Sequence, residues 1–279
     1  MAGLNGTIVV DAAAGVEAPL DEVALRRQVA WRDLIRYRPL DTAIELLLPA
    51  PWLAGAVWFS AHGEFLAALP CTFFLFLTLL RVAHNGYHNA LGIPRWATDV
   101  ALALMSPLMM IPLHAVKVTH LGHHSHCLGP GDIEGKAGRK SFWGVVAYGP
   151  KFPIEILGAA WREGGAHIRR WIVIEAVLIL GVWIAAFATH WPVLVYHVAA
   201  MTGGECLTAL FAVWIVHHGT EDHIYPARTQ RGWFKNRISY SMFLHAEHHL
   251  FPSVPTFRLV ELSRRIDAVA PTLAESQVL

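Results

Sequence analysis

Cysteine, charge and nucleotide-binding glycine motifs are all scarce in this sequence. Its three cysteines, Cys71, Cys127 and Cys206, show no paired spacing, so neither a disulfide framework nor a cysteine-based zinc site is predicted. Charged residues make up only 15% of the 279 residues and the formal net charge is +1, which gives no sign of nucleic-acid binding. The sequence has no internal repeat and no glycine motif that is typical of nucleotide binding.

Apolar residues, in contrast, make up 54% of the chain and are concentrated in four long stretches. A helix that crosses a bilayer core needs about 20 apolar residues. The stretches lie at approximately residues 40–60, 64–83, 171–188 and 192–216. We expect Pro49 and Pro51 to kink the first. A fifth apolar segment, 97–118, is interrupted by two prolines, a histidine and a lysine, and we interpret it as re-entrant or interfacial.

The spacing of the stretches predicts an all-α integral membrane protein with four spans in two tight helical hairpins. None of the 22 Lys and Arg residues lies in either hairpin turn. The positive-inside rule therefore predicts that both termini and the long middle segment are cytoplasmic. We expect a cytoplasmic tail over 1–38 that begins disordered and forms an amphipathic helix near 20–37, a membrane domain over 39–265, and a C-terminal tail over 266–279.

Eight histidines form three clusters, which read HNGYH, HLGHH and HAEHH. Neutral imidazole is a common metal ligand near neutral pH, and spacings of three and four residues put side chains on one helix face. Under the predicted topology all three clusters lie at the cytoplasmic side, where a helical cap would hold a histidine-rich two-metal site. The clustered residues are His84, His88, His120, His123, His124, His245, His248 and His249.

These three clusters and the run HAEHHLFPSVP, with four spans, resemble the histidine boxes of the membrane fatty acid desaturase-like superfamily. The resemblance covers residues from about 40 to 265. It implies two iron ions held by the eight clustered histidines, with O2 as co-substrate and the metal centre itself as the catalytic group. It also implies a further ligand at the end of the fourth span, where His218 fits best, then His217, and His223 less well. Asp132 and Glu134 would orient ligands through the far ring nitrogen.

The resemblance implies oxidation of an unactivated C–H bond, and we favour desaturation of an acyl chain or lipid-like substrate. A hydroxylase (monooxygenase) or ketolase acting on a carotenoid or small specialised metabolite is the close alternative. Imidazole ligands would also suit zinc or copper, so a zinc-dependent membrane hydrolase remains open, and a non-enzymatic receptor with a structural metal is the least favoured. Glu205 is a candidate substrate contact, because ionisable residues within spans are costly and often functional. Trp214 is a second candidate, as an aromatic residue that could line a substrate tunnel.

The chain has no spare domain and no cysteine motif for carrying electrons, so the hypothesis needs a separate donor such as a ferredoxin with its reductase. Basic residues in the predicted cytoplasmic segments could dock an acidic donor, although they also satisfy the positive-inside rule. They are Lys136, Arg139, Lys140, Arg169, Arg170, Arg228, Arg231, Lys235 and Arg237.

Overall fold

The computed structural model describes residues 21–278, and within that range the fold consists of helices and turns. Its only strand-like pairing there is a single bridge between Thr229 and Gln277. The first six helices are α1 (Glu22–Gln28), α2 (Pro39–Leu47), α3 (Ala50–Ala61), α4 (Phe65–Tyr87), α5 (Arg95–Met109) and α6 (Leu113–His126). The tail predicted to be disordered, residues 1–20, lies outside the described part of the chain.

The second half of the fold also contains both short and long helices. Its helices are α7 (Phe142–Tyr148), α8 (Phe152–Glu163), α9 (Ala166–Thr189), α10 (Pro192–Thr208), a π-helix (Ala209–Trp214), α11 (Ile215–His217), α12 (Trp233–Ile238), α13 (His245–Leu250) and α14 (Leu259–Asp267). Two 3₁₀-helices, Thr256–Arg258 and Pro271–Glu275, flank α14.

Four helical segments are long and apolar enough to cross a membrane, as the hydropathy pattern predicts. They are Pro39–Ala61, Phe65–Tyr87, Ala166–Thr189 and Pro192–His217. Most of their side chains are not buried inside the protein, which suits a lipid environment because apolar surface is tolerated there. The first segment breaks into α2 and α3 at the predicted proline, since Pro49 precedes α3 as its N-cap residue.

The fifth apolar segment forms a bent helix pair rather than a straight span. Helices α5 and α6 meet at an angle of 107°, and Met110 between them has a left-handed backbone. Pro112, the N-cap residue of α6, supplies no N–H to continue a helix across the bend. The pair is either a broken span or a re-entrant loop, and it brings α6 against α4 and α8.

The segments predicted to be tails contribute to a shared hydrophobic core outside the spans. Leu25 and Leu34 near the start of the described chain are buried together with Leu244, Leu262 and Leu273. The predicted amphipathic helix over 20–37 is shorter in the structure, because α1 ends at Gln28. The chain then turns, and the remaining residues pack as loop. We call residues 218–278 together with α1 the cap.

A buried polar network connects the C-terminal part of α4 to the cap. Arg81 donates to both carboxylate oxygens of Glu45, at 2.7 and 2.5 Å. Asn85 donates to Glu45 at 2.7 Å, and its own carbonyl oxygen accepts from the backbone N and hydroxyl of Thr256. Arg81 and Asn85 flank His84 on the same helix, so the network fixes the position from which His84 projects.

Candidate metal centre

The three histidine clusters come together in two adjacent groups of imidazoles. Within each group, one ring nitrogen per residue lies within 4.8 Å of the others. The first group contains His84, His88, His120, His124 and His248, and the second contains His123, His217, His245 and His249. Each group could hold one metal ion, so the arrangement suits two ions rather than one.

The groups do not follow the clusters in the sequence. His120 and His124 of the second cluster join the first group, whereas His123 joins the other. The third cluster divides in the same way, with His248 in the first group and His245 and His249 in the second. Residues four apart on a helix share a face, whereas a residue three further on is rotated from it by about 60°. Helices α6 and α13 therefore each serve both groups.

Two carboxylates fix the orientation of ligands on α6. Nδ1 of His123 donates to Oδ2 of Asp132 at 2.7 Å, and Nδ1 of His120 donates to Oε2 of Glu134 at 3.2 Å. Both acids are buried, and Asp132 also accepts the backbone N–H groups of Leu128 and Gly135. These contacts leave the Nε2 lone pairs of both histidines directed into the groups, which is the arrangement expected for oriented metal ligands.

The hydrogen bonds of the second group direct three ring nitrogens towards one another. His123 and His217 use their Nδ1 hydrogens on Asp132 and on the carbonyl oxygen of Pro226, the latter at 2.6 Å. A neutral imidazole has only one N–H, so in the neutral form of each residue Nε2 carries a lone pair. The two Nε2 atoms lie 3.0 Å apart, and Nε2 of His245 lies 2.9 Å from that of His217. Nitrogen atoms that converge in this way suit a shared cation.

The first group shows the same incomplete satisfaction. Both ring nitrogens of His84 are buried without a hydrogen-bond partner among the described residues, and its ring lies 4.0 Å, centroid to centroid, from that of His248. Buried polar atoms are normally paired, because an unsatisfied one costs free energy. An all-imidazole set with unpaired nitrogens fits a first-row divalent metal such as iron.

Burial favours the neutral form of His248 and His249, two of the ligand candidates on α13. Burial, reinforced by neighbouring histidines, holds the pKa of His248 and of His249 well below the usual value. Desolvation disfavours the charged form of a buried base. A neutral imidazole offers a lone pair, so this effect favours metal binding over protonation near neutral pH.

At the end of the fourth span the structure favours His217 over the expected His218. His217 is fully buried in the second group. His218 is turned away, with Nδ1 donating to the carbonyl oxygen of Gly138 at 2.8 Å and its ring stacked on Trp214. The π-helix just before this point changes the rotational phase of the helix, so counting α-helical turns along the span does not give the side that faces the metals. His223 belongs to neither group.

An apolar cavity of about 670 Å³ leads from the histidine groups into the spans. His84, His120 and His245 line one part of it, and Glu205 lines another. Trp214, the other expected substrate contact, is not in its wall, since its indole N–H donates to the carbonyl oxygen of Lys140 at 2.8 Å. Its ring stacks on that of His218.

Other groups at the site had no distinctive signal in the sequence. The Pro226 carbonyl oxygen orients His217, and backbone atoms carry no sequence motif. The thiol of Cys127 lies 3.9 Å from both His123 Nε2 and His217 Nδ1. Tyr87 packs its ring against that of His120, with centroids 5.6 Å apart, and also lines the cavity. Only the spacing of Cys127, four residues after His123, could have drawn attention to it.

Comparison with known proteins identifies the class to which this fold and site belong. The family model described as fatty acid desaturase matches residues 58–277, which is most of the chain. The chain therefore belongs to the fatty acid desaturase family, and the resemblance seen in the histidine boxes is confirmed. Among curated proteins, no match to the chain was found.

Proposed function

We propose that this protein is a membrane di-iron oxidoreductase that uses O2 to oxidise an unactivated C–H bond of an acyl chain or lipid-like substrate. Family membership supports the oxidoreductase class. The observation that carries the proposal is the pair of imidazole groups at one part of an apolar cavity. Nitrogen ligands alone leave the metal open, so the choice of iron rests on the family.

Two iron ions would be held by the two groups, with His217 rather than His218 completing the second. Once bound, the irons would supply the redox chemistry that activates O2 for hydrogen abstraction. The chain supplies oriented ligands, because Asp132 and Glu134 fix the rings of His123 and His120. It also excludes water from the reacting region, since the buried His84, His120 and His245 face a cavity whose lining is almost entirely apolar.

The cavity suits a substrate that enters from the membrane. Leu69, Phe73, Leu207 and Phe211 line it and are also exposed on the surface of the spans, each by at least 40%. These side chains lie on α4, α10 and the π-helix, so the wall between the cavity and the lipid is thin there. Its volume lies within the range of about 300–1,000 Å³ that is typical of small-molecule sites.

Desaturation is the reaction that we favour, with hydroxylation or ketone formation as the alternative. Both begin with removal of one hydrogen atom, and they differ in the fate of the resulting carbon centre. The position of the substrate relative to the metals decides between them, and the histidine groups serve either outcome. The residues of the boxes therefore support the shared first step rather than one product.

Electrons would come from a separate protein that docks on the cap. A small cavity of about 140 Å³ on that side is lined by His124 and His249 from the two groups, together with Arg26 and Glu22. Arg26 also donates to the backbone carbonyl oxygen of His249. Among the basic residues expected to dock a donor, Arg231 is engaged by Asp267 and Glu247, so its charge is already compensated.

The proposal is tested by expressing the chain in a lipid-producing host and analysing lipid and metabolite extracts by mass spectrometry. The matched control is the His123→Ala/His245→Ala double variant. We expect a product that has lost two hydrogens relative to a host lipid and that depends on O2 and on the intact histidines. A gain of one oxygen would assign hydroxylation instead. A purified protein with stoichiometric zinc and no iron, from iron-replete cells, would contradict the redox function.

A further inference from the structure

One acid in the cavity is not used by the histidine groups. Glu205 lies on α10, 12 residues before His217, or roughly 18 Å along the helix axis at 1.5 Å per residue. Only 4% of its surface is exposed. Thr208 Oγ1 donates to Oε2 at 3.3 Å, whereas Oε1 is buried and has no hydrogen-bond partner among the described residues.

Two other buried glutamates within the spans are fully engaged. Glu45 accepts from Arg81 and Asn85. Glu175 accepts from the backbone N of His114 at 3.1 Å and from its Nδ1 at 2.6 Å. A buried oxygen without a partner costs free energy, so such a group needs an explanation in a native protein. The bonding of Glu45 and Glu175 is structural, and Glu205 differs from both in having an oxygen available to a ligand.

That carboxyl group lies in the wall of the same cavity that reaches the metal ligands. Phe76, Leu80 and Met201 form part of the apolar lining, which continues to His84 and His120. Across the whole cavity the lining is almost entirely apolar. In such a pocket, a few placed polar groups fix the orientation of the ligand. Glu205 is therefore positioned to bind a polar group of a ligand while another part of the same ligand lies at the histidines.

We propose that Glu205 binds a hydroxyl group on an otherwise apolar, lipid-like substrate and thereby determines which carbon reaches the metal centre. This inference rests on the proposed function and adds the substrate class. A hydroxyl can donate to a carboxylate oxygen or accept from the O–H of a protonated carboxyl group. An ammonium group would bring a charge into the apolar cavity, and a buried ion pair offsets that desolvation only with further hydrogen bonds. Within the described residues, the Thr208 hydroxyl is the only side-chain donor to Glu205.

The test measures binding rather than turnover. The full chain is placed in lipid nanodiscs, and equilibrium binding is measured for labelled 1-hexadecanol, hexadecane and hexadecylamine. One buried hydrogen bond corresponds to about tenfold in affinity, so we expect the wild type to bind hexadecanol about tenfold more tightly than hexadecane. Glu205→Leu should bind both equally. Glu205→Gln, which can still donate and accept, should keep most of the preference.

Equal binding of hexadecanol and hexadecane by the wild type would overturn the inference, and so would a preference that survives in Glu205→Leu. A preference for hexadecylamine that Glu205→Gln abolishes would also overturn it, because the carboxylate would then bind a cation. If Glu205→Leu fails to insert, Glu205→Ala takes its place in the comparison. Iron content and O2 consumption are measured on the same preparations, so failure of the proposed oxidation is recorded separately from failure of hydroxyl recognition.

Discussion

His217 and His218 are adjacent in the chain but have opposite surroundings. The Nε2 atom of His217 lies 3.0 Å from that of His123 and 2.9 Å from that of His245. His218 instead donates to the Gly138 carbonyl oxygen and stacks on Trp214. The contrast arises where the π-helix gives way to a three-residue α-helix and the chain leaves the span. It supplies a matched pair of variants, since the two residues have the same chemistry.

We expect His217→Ala to lower both iron content and activity, because it removes a lone pair from the second group. His218→Ala should keep most of the iron, since it removes only a contact with the Gly138 loop. Iron per chain is measured by elemental analysis of protein purified from iron-replete cells, with activity assayed in parallel. Iron loss in His218→Ala with normal iron in His217→Ala would return the ligand role to His218.

Replacing Asp132 with Asn should weaken the second group without removing a ligand. Asp132 accepts from His123 Nδ1, Leu128 N and Gly135 N, and an amide cannot accept at both of its ends. Loss of such an orienting carboxylate typically costs 10- to 100-fold in metal affinity or activity. Chelator competition measures the affinity. The control is Glu221→Gln, at an exposed position, and a metal affinity equal in the two variants would count against the orienting role.

Glu45→Ala should destabilise the protein strongly. It leaves the Arg81 guanidinium buried without its partner, since the two side chains are only 2% and 10% exposed. Removing one member of a buried pair costs about 3–5 kcal/mol. Thermal unfolding in detergent measures the effect. The control is Arg264→Ala, because the Arg264–Glu261 pair is exposed and pairs of that kind contribute about 0–1 kcal/mol. Equal unfolding temperatures for both variants would refute the structural role of this network.

His62→Ala and His190→Ala should leave iron content and activity nearly unchanged. Both residues are exposed in turns at the far ends of the spans from the histidine groups. His84 follows the start of α4 at Phe65 by 19 residues, or roughly 29 Å of helix. Each variant is compared with His84→Ala at matched protein level in the membrane. Loss of activity in a turn variant would contradict this fold, because the turn would then have to lie close to the metal site.

Mild acid should destabilise the protein and release its metal. The pKa values of His248 and His249 are depressed by burial in the folded state, while an unfolded histidine titrates near 6.5. The stability that depends on neutral imidazoles is thus fully present above about pH 6.5 and is lost as the pH falls below it towards the depressed folded values. Unfolding temperature and bound iron are followed from pH 8 to pH 5. Flat profiles across that range would disagree with buried, neutral ligands.

The class of protein and the clustered residues of its site can be read from the sequence alone. The four candidate spans can be recognised in the sequence because a membrane helix needs a long run of consecutive apolar residues. Such a run is a local property of the chain. The eight clustered histidines are readable because spacings of three and four residues bring imidazoles together on one short helix. The orienting roles expected of Asp132 and Glu134 required the resemblance to the family, and the hydrogen bonds to His123 and His120 agree with them.

Tertiary structure decided how those residues are shared between the two groups. His120 and His123 are three residues apart yet belong to different groups, because each group is assembled from several helices whose packing is not local. The choice of His217 depended on the π-helix, which follows from backbone hydrogen bonding over the whole span. The cavity that includes Glu205 but not Trp214 likewise exists only between packed elements. Spacing within one segment specifies which side chains share a face, whereas the packing of α4, α6, α10 and α13 specifies what that face meets.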